Sequence, residues 1–278
     1  MGLATSPLEI STTPVTMNIS LDGHTALVGG ATSGIGWAIA ETLARAGAQV
    51  ILVARSQEHL EQRLRALEAQ STKQHYAVMA NYDLPEAPQA ILSSLTHQNV
   101  TPDIIINNAG GPAPGRIVDS SRGEFHRALD RLILTTHELV HAFFPTMQQK
   151  QWGRIINIIS TSVRQPIEGL GVSNTIRAAT AAWAKTLSIE VAPYGITVNS
   201  ILPGATLTER LEEIIRRRAN EQGIQPDQVA EQMRHEIPMQ RFGKPEEIAA
   251  LAVFLCSDYA GYITGECIRV DGGRTRCL

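Results

Sequence analysis

Aromatic side chains are scarce in this 278-residue sequence, at 5% of positions. Their scarcity, with a formal net charge of -3, argues against a surface that stacks bases or attracts phosphodiester backbone, so no nucleic-acid partner is expected. Cysteines number only 3, and Cys256, Cys267 and Cys277 lack both disulfide-framework and metal-ligand spacing. A reduced, cytoplasmic protein is the simplest account. No apolar run reaches the roughly 20 residues a membrane-spanning helix requires, and residues 1–16 lack the charged start and apolar centre of a secretion signal. That leader, rich in Ser, Thr and Pro, reads as disordered, with Met17 as an alternative start. Runs of one charge are missing as well, since Arg216-Arg217-Arg218 is flanked by Glu212, Glu213 and Glu221 and reads as a solvated helix face.

What is present suits one soluble α/β domain over residues 17–278, with 43% hydrophobic residues to fill a core. The most informative stretch runs from Thr25 to Gly36, where a short apolar strand meets a glycine-rich turn and then a helix-forming segment. Glycines at 30, 34 and 36 let a chain turn sharply, let its backbone approach a pyrophosphate and let a helix pack closely on a sheet. The spacing G-x3-G-x-G differs from the usual dinucleotide fingerprint, so the turn alone does not decide its ligand. Further along, apolar runs at 50–54, 77–80, 103–107, 154–159, 197–201 and 267–270 read as strands, with helical patterns at 56–69, 122–149 and 174–191 between them. Such alternation predicts a single-domain Rossmann fold: a doubly wound parallel sheet with helices on both faces.

Read with four later segments, the turn acquires a family. Asn107-Asn-Ala-Gly110, Gly195-Ile-Thr-Val-Asn199 with Pro203-Gly204, Arg241-Phe-Gly-Lys-Pro-Glu-Glu247 and Asp271-Gly-Gly273 occur in order. Together they resemble the short-chain dehydrogenase/reductase superfamily, most closely the branch similar to 3-oxoacyl-carrier-protein reductases, over roughly residues 18–273. The resemblance implies an oxidoreductase acting on a small carbonyl or alcohol, free or carried on an acyl carrier, and a homodimer or homotetramer. It assigns Gly30, Thr32, Ser33, Gly34, Ile35 and Gly36 to the cofactor's phosphates, Asp83 to its adenine, Asn107, Ala109 and Gly110 to its ribose, and Pro203, Gly204 and Thr206 to its nicotinamide side. Gly29 departs from the family, which commonly has Thr there. The choice of dinucleotide follows from Ala54-Arg55-Ser56 at the end of the second strand. No carboxylate is present there to grip the 2′-hydroxyl of NAD, whereas Arg55 can pair with the extra phosphate of NADP(H).

The catalytic positions tell a different story. In the resembled family a Tyr donates the proton, a Lys four residues on lowers its pKa, a Ser polarises the carbonyl and an Asn orders water. Ungapped registration places these at Ser173, Arg177, Ser160 and Leu132, so three of the four have changed. A serine hydroxyl is a far weaker acid than a phenol with pKa of about 10, and an arginine with an ordinary pKa of about 12 or more does not rejoin a proton relay. Ser160, Ser173 and Arg177 nevertheless remain the candidate catalytic group, because Ser173 and Arg177 share one helical face and both can address the cleft. In the loop between, Arg164 and Glu168 are the charged residues available to compensate. His137-Glu-Leu-Val-His141 satisfies the H-E-x-x-H zinc pattern, but no third ligand follows with metalloprotease spacing, so no metal is expected. Residues 207–238 correspond to the family's variable substrate lid. Two alternatives stay open: a dinucleotide-binding protein with little turnover, and a non-redox enzyme on the same fold.

Overall fold

The computed structural model describes residues 17–277, so the predicted disordered leader at 1–16 lies outside the described residues. Seven parallel strands form one sheet in the order β3-β2-β1-β4-β5-β6-β7. They are β1 (Thr25–Gly29), β2 (Gln49–Ala54), β3 (Tyr76–Met79), β4 (Ile104–Asn107), β5 (Gly153–Ile158), β6 (Ile196–Pro203) and β7 (Cys267–Val270). The Val- and Ile-rich central strands are buried on both faces, which is why they read as continuous apolar runs. Alternation inside each run feeds two cores. Ala26, Val28, Ile156 and Ile158 face one cluster, and Leu27 and Ile155 face the other.

Three helices cover each face. On the first lie α1 (Gly34–Arg45), α2 (Gln57–Glu68) and α9 (Pro245–Cys256), whose Ile39, Leu43, Leu60, Ile248 and Leu255 join the first cluster. Across the sheet lie α3 (Ala87–Gln98), α5 (Thr135–Lys150) and α6 (Gly171–Val191), whose Ile91, Leu139, Phe143 and Ala184 join the second. Each large apolar side chain contributes roughly 1.5–3 kcal/mol when fully buried, so an acidic substitution at Ile156, which is 0% exposed, would break the core. The expected Rossmann architecture is therefore present, with its topological switch between β1 and β4.

One element departs from expectation. The stretch 122–149 does not form a single helix but divides into α4 (Arg122–Leu129), a π-helical turn (Asp130–Leu134) and α5. Within that turn the carbonyl of Leu132 accepts a hydrogen bond from Asn107 Nδ2 at 3.1 Å, which ties the helix to the end of β4. Beyond β6, α7 (Glu209–Gln222) and α8 (Pro226–His235) form the segment read as a lid. Leu211, Val229, Met233 and Phe242 give it an apolar cluster of its own. Among the described residues no helix is long and apolar enough to cross a membrane.

Candidate active site

The carboxyl ends of β1, β2, β4, β5 and β6 open onto one cleft, and the glycine turn forms its centre. Gly30 and Gly34 adopt left-handed backbone with φ of +56° and +52°. A Cβ on Gly36 would lie 2.1 Å from the carbonyl oxygen of Gly30, so no side chain is admissible there. Ser33 precedes α1 and makes no side-chain cap, which leaves the first-turn amides of the helix to an outside acceptor. This turn fits an anionic, phosphate-bearing ligand, because a side chain is excluded at Gly36 and Gly30 while the first-turn amides of α1 stay open. The turn is braced from behind by Arg63, which donates to Thr32 O at 2.9 Å and stacks over Trp37.

Asn108 is not singled out by the sequence, yet it is the principal buttress of the turn. Its Nδ2 donates to Gly29 O at 3.0 Å, and its carbonyl oxygen would lie 2.8 Å from a Cβ on either Gly29 or Gly30. Tyr82 adds to the exclusion at 29: beyond the Asn108 carbonyl, its hydroxyl would meet a Cβ there at 3.1 Å, in the room a threonine would need. Asn107, by contrast, points inward, donating to Asn157 Oδ1 at 2.8 Å as well as to Leu132 O. The signal for Asn108 is the Asn-Asn-Ala-Gly motif itself, in which either asparagine fits the pattern.

At the ends of β2 and β3, Arg55 is exposed and lines a groove of about 250 Å³ with Met79, Ala80, Asn81 and Leu84. Asp83 lies at the same end of the cleft but is paired with Arg131, a residue the motifs do not point to. Arg131 also donates to the carbonyls of Gly110 and Gly111, each at 3.0 Å, and so fixes the strip that follows β4. On the far side, Gly204 is held against Asp271, where a Cβ would lie 2.7 Å from Asp271 Cα. Thr206 is buried and donates to Gly204 O at 3.2 Å. Thr208 caps α7 and packs over the glycine turn, its methyl 3.0 Å from a Cβ position on Gly34. The segment that carries α7 and α8 thus begins directly above the glycine turn.

Between these two ends lie the candidate catalytic residues. Ser160 follows β5 and accepts from Ser162 N at 3.1 Å, which orients its Oγ and leaves its proton to donate elsewhere. Ser173 and Arg177 are buried one turn apart on α6, with Arg177 Nε donating to Ser173 Oγ at 3.2 Å. Arg177 Nη1 reaches Ile158 O at 3.2 Å and Ile159 O at 2.6 Å, which carries the guanidinium alongside Ser160. Burial, reinforced by the positive charges of Arg131 and Arg210, pulls the Arg177 pKa down to about 10, below the ordinary arginine range. It remains a cation at neutral pH. Leu132 is 2% exposed and packs with Val172 and Ile176, so the position offers no polar side chain. Arg164 and Glu168 stand exposed on the loop before α6. His137 and His141 are exposed on α5, where His137 Nδ1 accepts from Trp183 Nε1 at 3.4 Å. Among the described residues no group of three or more potential ligands is placed to hold a metal ion.

With this geometry in view, likeness to characterised proteins is extensive. The sequence model of the family described as Enoyl-(Acyl carrier protein) reductase matches residues 30–275. The NADPH-dependent reductase BacG of Bacillus subtilis is 31% identical over 256 residues, spanning 92% of this chain and 99% of BacG. The 3-oxoacyl-[acyl-carrier-protein] reductase FabG of Aquifex aeolicus is likewise 31% identical, over 92% of this chain and 99% of its own length. Among solved structures, L-sorbose reductase from Gluconobacter frateurii, complexed with NADPH and L-sorbose, superposes with a TM-score of 0.89 at 31% identity, covering 94% of this chain and 100% of that one. Fold, glycine turn, ordered motifs and these relatives together make the chain a member of the short-chain dehydrogenase/reductase family.

Proposed function

We propose that this protein is an NADP(H)-dependent oxidoreductase interconverting a carbonyl and an alcohol, with Ser173 and Arg177 in place of the family's Tyr and Lys. The observation that carries this reading is that one cleft holds a glycine turn open at its backbone, an exposed arginine at the end of β2, and the Ser160, Ser173 and Arg177 group between them. Support comes also from relatives and a structural neighbour named as NADPH-dependent or NADPH-complexed.

In this reading Gly30, Thr32, Ser33, Gly34, Ile35 and Gly36 hold the pyrophosphate, and Arg55 pairs with the 2′-phosphate in fork geometry. Asp83 lies beside the adenine, the backbone of Asn107, Ala109 and Gly110 follows the ribose, and Pro203, Gly204 and Thr206 support the nicotinamide ring. When bound, the dinucleotide supplies a hydride to a carbonyl carbon or takes one from an alcohol. The Ser160 hydroxyl donates to the substrate oxygen. Arg177, a fixed cation in a dry site, stabilises the negative charge that develops on that oxygen. Neither Ser173 nor Arg177 gives up a proton readily at neutral pH, so a water delivers it, and positioning carries more of the rate than acid catalysis. The exposed outer face of α5, with His137 and His141, together with Leu134 just before it, is where a second subunit docks to form a homodimer or homotetramer. Light scattering that reads a monomer removes that part.

The reaction is tested by NADPH oxidation over free and acyl-carrier-bound carbonyls, and NADP+ reduction over the matching alcohols. A narrow set of good substrates is expected. Tight NADPH binding with no turnover on any of them replaces this reading with that of a dinucleotide-binding protein.

A further inference from the structure

Arg177 is a charged side chain only 9% exposed, and among the described residues no carboxylate answers it. The two cations whose charge bears on it are themselves paired, Arg131 with Asp83 and Arg210 with Glu213. Arg131 and Arg210 still add positive potential at Arg177. A guanidinium has five N–H donors. Nε and Nη1 are spent on Ser173, Ile158 and Ile159, while Nη2 makes no hydrogen bond and is not sealed from solvent. That free end lies against Gly111, where even a Cβ would come within 3.1 Å of it. Arg131 holds the carbonyls of Gly110 and Gly111, so the glycine backbone that faces Nη2 is fixed in place.

Taking a guanidinium out of water without an anion is costly, and a site that keeps one so has left room for an anion to arrive with the ligand. We infer that Arg177 anchors a carboxylate carried by the substrate beside its reacting carbonyl, so that the molecules turned over are oxo acids and hydroxy acids rather than neutral ketones and alcohols. A single open guanidinium nitrogen suits a carboxylate better than a phosphate, whose three oxygens call for several donors. Beside the amino-terminal end of α6, Ile117 packs against Gly171 and is 52% exposed, and the adjoining Val118 is 72% exposed, apolar surface suited to a hydrocarbon tail behind one charged group. The carboxylate forms no bond during turnover and leaves as it entered.

This inference rests on the carbonyl-reduction reading, and the two are separable by experiment. Binding is measured first, by calorimetry on the NADP+-saturated full chain with hexanoate and its uncharged counterpart hexanamide. The parent is expected to prefer hexanoate by about tenfold or more, as one charge-assisted hydrogen bond warrants. R177Q should erase the preference and R177K retain part of it. Gly111→Ala, which sets a methyl against Nη2 without changing charge, should weaken hexanoate alone and serves if R177Q does not fold. Equal binding of acid and amide by the parent overturns the inference, as does a preference that survives in R177Q, or an R177Q that loses NADP+ and keeps the preference. Turnover is then compared between oxo acids and their methyl esters. If hexanoate binds through Arg177 and no oxo acid oxidises NADPH, the anion site stands and the redox reading falls. If esters react as fast as acids, the redox reading stands and the anion site falls.

Discussion

At the amino-terminal end of the strands Asp103 is 1% exposed, and towards their carboxyl end Arg177, on α6, is 9% exposed. Asp103 is fully answered: it accepts from Thr25 N at 2.9 Å and from Lys150 Nζ at 2.8 Å, and His24 Nδ1 lies 3.2 Å away. His24 is in turn stacked on Trp152 with ring centroids 3.7 Å apart. Arg177 meets only a hydroxyl and two carbonyl oxygens. A buried charge surrounded by opposite charge and donors belongs to the architecture, since removing any partner leaves the rest uncompensated. One left without a counter-ion costs stability and is tolerated where a ligand completes it. The two ends of the sheet therefore separate what holds this fold from what it is for.

The largest losses of activity are expected when Arg177 and Ser160 are removed in turn. Arg177→Gln and Ser160→Ala should each lower turnover of the true substrate by about 10²–10³-fold, the size of losing one preorganised donor to a developing oxyanion, while NADPH affinity stays within about tenfold. The melting temperature of Arg177→Gln should stay level or rise. Turnover close to the parent's in both variants would remove the proposed catalytic group.

At the structural end the pattern should invert. Asp103→Ala is expected to cost about 3 kcal/mol of stability, the low end for breaking a buried pair because Lys150 and His24 are partly exposed. Nucleotide affinity should be unchanged. Urea unfolding beside calorimetric titration reads both, and a variant that unfolds at the parent's midpoint would show that Asp103 holds nothing together.

Much of this molecule is legible in its sequence, and the features that are not share a cause. The strands are legible because Val, Ile and Leu runs such as Val50-Ile-Leu-Val are what a sheet covered on both faces requires. Arg55 and the glycines stand out because the roles expected of them depend on residue type at a fixed place along the chain. The π-helical turn inside 122–149 does not, because a one-residue slip in hydrogen bonding leaves no mark on composition. Nor does the periodicity place α6 fully: it starts at Gly171 rather than 174, where Ile117 packs against its first turn. Asn108, Tyr82 and Arg131 are hidden in the sequence because their importance lies in what they touch across the cleft, at Gly29, Gly30 and Asp83. The missing counter-ion of Arg177 is a property of three dimensions altogether.

A smaller effect belongs to the cofactor end. Arg55→Ala should reduce the preference for NADPH over NADH by about 1–3 kcal/mol, the worth of one charge-assisted contact to phosphate. Calorimetry with both nucleotides measures it, and equal affinities in the parent would show that the groove at β2 and β3 does not discriminate.

The smallest effect concerns acid, and it distinguishes the two buried charges by the pH at which each is felt. Burial pushes the Asp103 carboxyl up, but its bonds to His24, Lys150 and Thr25 N outweigh this and leave its pKa below the ordinary value of 3.8. The unfolded chain then binds the proton more readily than the folded one between those two values, so stability rises with pH through that window. The contribution is complete above the unfolded pKa and is lost as pH falls through the folded one. Arg177 has a folded pKa of about 10, below the ordinary arginine value of the unfolded chain, so its own proton-linked change lies in the alkaline range around and above pH 10, and its cost is constant at neutral pH and below. Stability measured from pH 6 downward should therefore decline more steeply in the parent than in Asp103→Asn below about pH 4, by at most about 1.4 kcal/mol per pH unit for one proton. Arg177→Gln should track the parent's slope throughout. An Asp103→Asn curve parallel to the parent's, or an Arg177→Gln curve that is flatter, would mean that the carboxylate is not the group that acid unseats.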